Sequence, residues 1–264
     1  MRFLVDGNEV YASTGGRDWE KGRKTLVFVH GAGSSHLVWA QQSRSFAYGG
    51  YNVLALDLPG HNLSQGEPIV GIEAQAEWLS KVFAELSIEE ATLVGHSQGG
   101  LIALVFAHQS PEKVNGIVFI ATAAAIPVGD VLLNWAGDKQ TRAKSAMTSW
   151  ALGTKAHHFD NTVPGVSQAA IGMRTMDRNE HGALPSDLNA CNDFEGGIEM
   201  AAALACPTQC IFAELDRMTP LKLCMQLADA LPDNRVQVLK GAGHTLPTER
   251  PIEVNEIMRD FLHA

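Results

Sequence analysis

Short runs of consecutive apolar residues recur along the chain, and amphipathic stretches fill the spaces between them. Residues 25–29 form one such run, ending abruptly at His30-Gly31-Ala32-Gly33, and comparable runs occupy 51–56, 91–94, 116–120, 208–212 and 235–239. Apolar runs without alternation, rich in β-branched and aromatic residues, predict strands covered on both faces. Helical patterns lie between them over 39–48, 72–86, 99–108, 221–231 and 252–262. Strands alternating with helices imply βαβ units around a parallel sheet. Near the N-terminus, residues 3–5 and 9–13 flank Asp6-Gly7-Asn8 and predict a hairpin. The expected fold is therefore α/β, with a mostly parallel central sheet of about eight strands flanked by helices.

One stretch breaks the alternation. Residues 126–204 contain no convincing strand, only amphipathic pieces separated by Gly and Pro, with Trp135, Trp150, Met147, Met173 and Met176 among them. The expectation is a helical cap inserted after the sixth strand, over a core domain made of 1–125 and 205–264. Ligands bind where the strand ends open, which is where such a cap would sit.

Composition narrows the class without naming it. A formal net charge of −9 with no Lys/Arg cluster makes nucleic acid and anionic membrane poor partners. The apolar stretch at the N-terminus is short of a signal-peptide core, and no segment approaches a transmembrane length. The four cysteines, Cys191, Cys206, Cys210 and Cys224, show no Cys-x-x-Cys spacing, so reduced thiols and a cytoplasmic setting are expected. No metal-ligand cluster or cofactor motif stands out. The adjacent His157-His158 pair cannot face one ligand from a single helical face.

The chemistry concentrates in Gly95-His96-Ser97-Gln98-Gly99-Gly100, where an apolar run enters a tight turn and then an apolar helix. A Gly-x-Ser-x-Gly match in that context predicts a nucleophile elbow at Ser97. A serine hydroxyl needs a base, and in the chain order nucleophile, acid, base the base falls near the C-terminus. His244, beyond the last apolar run and flanked by Gly241 and Gly243, fits that place. Asp216, just past the run at 208–212, is the expected orienting acid; Glu214 competes, and Asp193 and Glu195 lie in the insert. The backbone N–H groups of Gln98 and Ala32 are the expected oxyanion donors. Gly31, Trp135, Trp150, Met147 and Met173 are candidates for substrate contact. The turn at Asp57-Leu58-Pro59-Gly60-His61 reads as structural, and His30 and His96 as packing residues.

Taken together, these pieces resemble the α/β-hydrolase superfamily, in its branch of small capped bacterial hydrolases. The resemblance rests on His30-Gly31-Ala32-Gly33 with Trp39, on the stretch from Asp57 to Ser64, and on Gly95 to Gly100. Asp216 to Pro220, Gly243-His244, Glu249-Arg250-Pro251 and Asn255 complete it. That branch includes esterases, cofactor-free haloperoxidases, enol-lactonases and carbon–carbon bond hydrolases. A serine at 97 departs from the dehalogenases and epoxide hydrolases, which place an aspartate there. Asn62 stands where the turn usually has glycine, and Gln98 where methionine is commonest.

The expectation is hydrolysis of an ester or related acyl bond in a small, mostly apolar substrate, without a cofactor, with monomer and homodimer both left open. An alternative is cleavage of a dienone or enol-lactone from aromatic degradation, for which Arg142, Arg174 or Arg178 would bind a carboxylate. A third reading, from a different class, is a ligand receptor that keeps the triad.

Overall fold

The structure, a computed structural model, describes residues 1–263 apart from 155, 157–164 and 166. The His157-His158 pair lies outside the described residues. Eight strands form one sheet: β1 (Arg2–Val5), β2 (Asn8–Ser13), β3 (Thr25–Val29), β4 (Asn52–Leu56), β5 (Ala91–His96), β6 (Val114–Ile120), β7 (Thr208–Ala213) and β8 (Asn234–Leu239). Their order across the sheet is β1-β2-β4-β3-β5-β6-β7-β8. The β1–β2 and β2–β4 pairs are antiparallel and the rest are parallel. The hairpin turns at Asp6 and Gly7, both with positive φ (50° and 81°), the geometry that matches a tight turn to strand twist.

Strand order reverses around β3, because the chain steps outward to β4 and then returns to place β5 on the other side. Such a reversal opens a crevice beyond the strand ends. The loops after β3 and β5 both empty into it.

Alternate residues along the strands feed two separate layers. Val27, Val29, Leu54, Leu56 and Phe119 join a core with α2 (Ile72–Glu85), α3 (Gln98–Gln109) and α9 (Leu221–Ala230). Leu26, Phe28, Val53, Ala55 and Val118 pack on the opposite face with α1 (Ala40–Tyr48), α10 (Leu246–Glu249) and α11 (Pro251–Leu262). Helix α3 is buried from Gln98 through Ala107, which explains its nearly unbroken apolar sequence. β8 differs from the sequence expectation of full cover: it is the sheet edge and is half exposed.

Between β6 and β7 lie α4 (Asp130–Asp138), α5 (Gln140–Ala151), α6 (Gln168–Met176), α7 (Ala183–Asp193) and α8 (Gly197–Ala202). Helices α4 to α7 share a small cluster of seven described buried side chains, among them Leu132, Met147, Met176, Leu184 and Leu188. A cluster of that size is too small to stabilise an independent unit, so these helices depend on packing against the sheet domain. From Ala190 onward the insert is already part of the main core, through Cys191, Phe194, Ala201 and Leu204.

Candidate active site

β5 runs two residues further than its apolar pattern suggests, because Gly95 and His96 continue the ladder with Phe119 and Ile120. Ser97 then turns the chain sharply, with φ 54° and ψ −123°. A non-glycine residue rarely adopts that conformation, and it persists only where the surroundings enforce it. Here the Ser97 N–H donates to Ile120 O (3.0 Å), and Ser97 O accepts from Thr122 Oγ1 (2.7 Å) and Gly100 N–H (2.8 Å). The flanking glycines are sterically required. A Cβ on Gly95 would overlap the backbone of Gly99, and one on Gly99 would overlap Val29 O. A Cβ on Gly31 would stand 2.9 Å from the Ser97 Cβ.

His244 lies past β8, and its Nδ1 is 2.8 Å from Asp216 Oδ2. The Asp216 Oδ1 accepts from the N–H groups of Met218 and Thr219, both at 2.8 Å, and the Thr219 hydroxyl lies 2.8 Å from Oδ2. Burial alone would raise this carboxyl. The neighbouring His244 and the hydrogen bonds from His244 and Thr219 outweigh burial and hold it below the usual range. Glu214 faces elsewhere, accepting from Gly241 N–H, while Asp193 and Glu195 are exposed on the insert. Ser97 and His244 line one cavity, although no hydrogen bond joins the serine hydroxyl to the imidazole. Such contacts often close only around substrate.

The loop carrying His244 is fastened to the insert. The N–H of His244 donates to Ala151 O (2.6 Å), and Glu249 accepts from Gly243 N–H (3.0 Å) and Gly153 N–H (3.3 Å). Burial raises the Glu249 carboxyl above its ordinary range. His96 packs on His244, with ring centroids 4.8 Å apart, and its Nε2 donates to His244 O. Burial lowers His96 to about 3 and His30 to about 4, so both rings are neutral packing elements, as read from the sequence.

Among the described residues, neither the Ala32 nor the Gln98 backbone N–H finds an acceptor in the chain. Gln98 opens α3, where the first N–H groups of a helix have no internal partner and the dipole favours negative charge.

The cavity that Ser97 and His244 share measures about 490 Å³. Its walls are mainly apolar, with Leu132, Met147, Trp150, Met176 and Met218 among them. Of the sequence candidates, Gly31, Ala32, Met147 and Trp150 line it. Trp135 and Met173 do not: Trp135 faces a shallow outer groove and stacks under Arg142 at 4.0 Å. Helical spacing alone cannot say which of two adjacent faces points inward. Arg142, Arg174 and Arg178 are also absent from the cavity wall, whereas Arg217 is present there. Cys191 reaches the wall as well, and burial pushes its thiol far up, which makes it inert.

The sequence reading missed one buried charge cluster. Asp187 on α7 is completely buried, and its Oδ2 is 2.9 Å from His61 Nε2. The other ring nitrogen, Nδ1, lies 3.0 Å from Pro59 O. Both nitrogens face acceptors, so the ring donates twice and is an imidazolium. Burial would lower His61, but Asp187 outweighs it and the ring is raised; Asp187 is correspondingly lowered despite its own burial. His30 (ring centroids 5.0 Å) and Asp57 also face this ring. A signal existed: Asp187 sits within the apolar stripe Leu184, Leu188 and Cys191 of an amphipathic helix.

The pair has a pH signature. Stability from a raised His61 is complete below its ordinary value of 6.5 and is lost as pH rises through the folded value. Stability from a lowered Asp187 is complete above 3.8 and is lost as pH falls through its folded value. The difference in thermal midpoint between the wild type and His61→Asn is therefore expected to be widest between those limits and to narrow at alkaline pH. A difference that grows with pH would contradict the imidazolium.

The alpha/beta hydrolase family model matches residues 26–257, and the chain belongs to that family. The protein is thus a hydrolase by class. It is 26% identical over 290 residues to a 2-hydroxy-6-oxononadienedioate/2-hydroxy-6-oxononatrienedioate hydrolase of Paraburkholderia phymatum, covering 99% of this chain and 94% of the relative. The uncharacterized hydrolase YugF of Bacillus subtilis is also 26% identical, over 99% of this chain and 97% of the relative. Among solved structures, the enol-lactonase of Burkholderia xenovorans superposes with a TM-score of 0.87 at 21% identity, over the whole of both chains. No helix among the described residues is long and apolar enough to cross a membrane.

Proposed function

We propose that this hydrolase cleaves the ester bond of a small, mostly apolar substrate through an acyl-enzyme. Ser97 Oγ attacks the carbonyl carbon, His244 Nε2 takes the serine proton, and Asp216 holds the imidazole in the tautomer that leaves Nε2 free. The N–H groups of Ala32 and Gln98 receive the oxyanion. The imidazolium then protonates the departing alkoxide, and water releases the acyl group by the reverse sequence. The helices between β6 and β7 act as a cap that walls the acyl pocket. The observation that carries this reading is convergence: Ser97, His244 and Ala32 line one apolar cavity, with Asp216 bonded to the far side of the His244 ring and the acceptor-free Gln98 N–H directly after Ser97.

The test is a series of p-nitrophenyl esters from acetate to laurate. Turnover is expected to peak at short to medium chains, since a cavity of 490 Å³ limits acyl length. Silence on every ester, with no labelling of Ser97 by a fluorophosphonate, would overturn the proposal.

Arg217 on the cavity wall favours one second reading, hydrolysis of a dienone acid whose carboxylate pairs with that guanidinium. The named activity of the Paraburkholderia relative is consistent with it. Efficient cleavage of a 2-hydroxy-6-oxo-dienoate with poor ester turnover would favour this reading over the first.

A further inference from the structure

We propose that Asp187 and Asn179, both on the insert, are positioning residues that hold the oxyanion loop in its working geometry, an inference resting on the esterase reading above. The loop from Gly31 to Ser34 is fixed one peptide plane at a time. In the Gly31–Ala32 plane, Gly31 O accepts from Ser34 N–H (3.0 Å) and from His30 Nδ1 (2.9 Å). In a trans peptide the Ala32 N–H must then point the opposite way. In the next plane, Gly33 N–H donates to Asp187 Oδ2 at 2.8 Å. Beyond it, Asn179 Nδ2 donates to Gly33 O (2.8 Å) and Ser34 O (3.3 Å). Gly33 itself has φ +64°, a left-handed turn that packs on Leu184 and Met176 of the insert.

Asp187 reaches the second donor as well. Its Oδ1 accepts from the Gln98 side-chain Nε2 (3.1 Å), which also donates to Gln75 Oε1 (3.0 Å). One buried carboxylate thus touches the neighbour of Ala32 and the side chain of Gln98, with His61 supplying the countercharge. An ion pair in this position is a poor device for stability alone, because apolar replacements are often as stable. Its geometric product is the fixed separation of two N–H groups. Catalysis therefore requires the insert to be docked, since the insert completes the hole from outside the sheet domain.

The experiment compares wild type, Asp187→Asn and Asn179→Ala on p-nitrophenyl butyrate, with active sites titrated by fluorophosphonate and thermal midpoints measured in parallel. Asp187→Asn is expected to lower kcat by about 10- to 100-fold with KM within about twofold, as misplacement of oxyanion donors does. Asn179→Ala, which loosens the same loop and also removes the acceptor of the Asn62 N–H (3.1 Å) but no direct contact of the ion pair, is expected to lower kcat by about 3- to 10-fold, again with KM unchanged. A merely structural role would lower the thermal midpoint and leave kcat per titrated site intact. Folded variants with kcat within twofold of wild type, or with changes confined to KM, would overturn the proposal, and Asn179→Ala decides the matter if Asp187→Asn does not fold. A wild type that neither turns over nor labels would remove the esterase reading and this inference with it. An active wild type with unaffected variants would remove this inference alone.

Discussion

Ser97→Ala is expected to lower kcat on p-nitrophenyl butyrate by about five to six orders of magnitude, with a thermal midpoint close to that of the wild type. The substitution removes one oxygen and nothing that holds the turn. The contacts fixing residue 97 are made by its backbone: its N–H to Ile120 O and its carbonyl to Thr122 and Gly100. Alanine meets the same strain at φ 54° as serine does. The folding background should therefore be unchanged, and the loss reports chemistry alone. Residual turnover above the uncatalysed rate would come from the Ala32 and Gln98 N–H groups, which the variant keeps. Activity within tenfold of wild type, or fluorophosphonate labelling that persists in the variant, would remove Ser97 from its proposed role.

Asp216→Asn is expected to cost about 10⁴ in kcat, and the direction follows from which oxygen is fixed by backbone. Oδ1 accepts from two N–H groups, so the carbonyl oxygen of an asparagine must take that place. The amide nitrogen then occupies the Oδ2 site and presents hydrogens to His244 Nδ1 and the Thr219 hydroxyl. His244 is forced to accept at Nδ1 and to carry its proton on Nε2, the wrong tautomer for a base facing Ser97. Near-normal thermal stability together with the kinetic loss would mark a tautomer effect. A variant that retains more than about a tenth of wild-type kcat would show that Asp216 does not set the tautomer.

Much of this architecture was legible in the amino-acid pattern, for reasons that differ from part to part. The central strands are covered on both faces, so their unbroken apolar runs are distinctive, whereas the edge strand β8 was placed within one residue but is half exposed and lacks the cover its run implied. The turn at Ser97 was readable because crowding against Val29 O and Gly99 leaves glycine as the residue that fits at 95 and 99. His244 and Asp216 followed from chain order, a topological constraint that survives sequence change. The cavity wall was not readable: Met173 and Met176 lie on one helix three residues apart, yet only Met176 reaches the cavity. Nor could spacing reveal the Asp187–His61 pair, whose members are separated by 126 positions. A long-range buried charge leaves only a faint trace, an acidic residue within an apolar stripe, and the compensating partner has to be found in space.

The seam between residues 151–153 and 243–249 bears on how this scaffold can be re-engineered. The loop bearing His244 hangs on the end of α5 through Ala151 O, and on Gly153 just beyond it through Glu249, and a side chain at Gly243 would overlap the backbone of that segment. The segment between β6 and β7 is therefore not a detachable module. A chimera that imports a foreign segment for 126–204 would inherit a new pocket and lose the anchor for its own imidazole, unless the 151–153 stitch were transplanted into the graft. Substrate range in this scaffold is better altered side chain by side chain along the wall than by exchange of the whole segment.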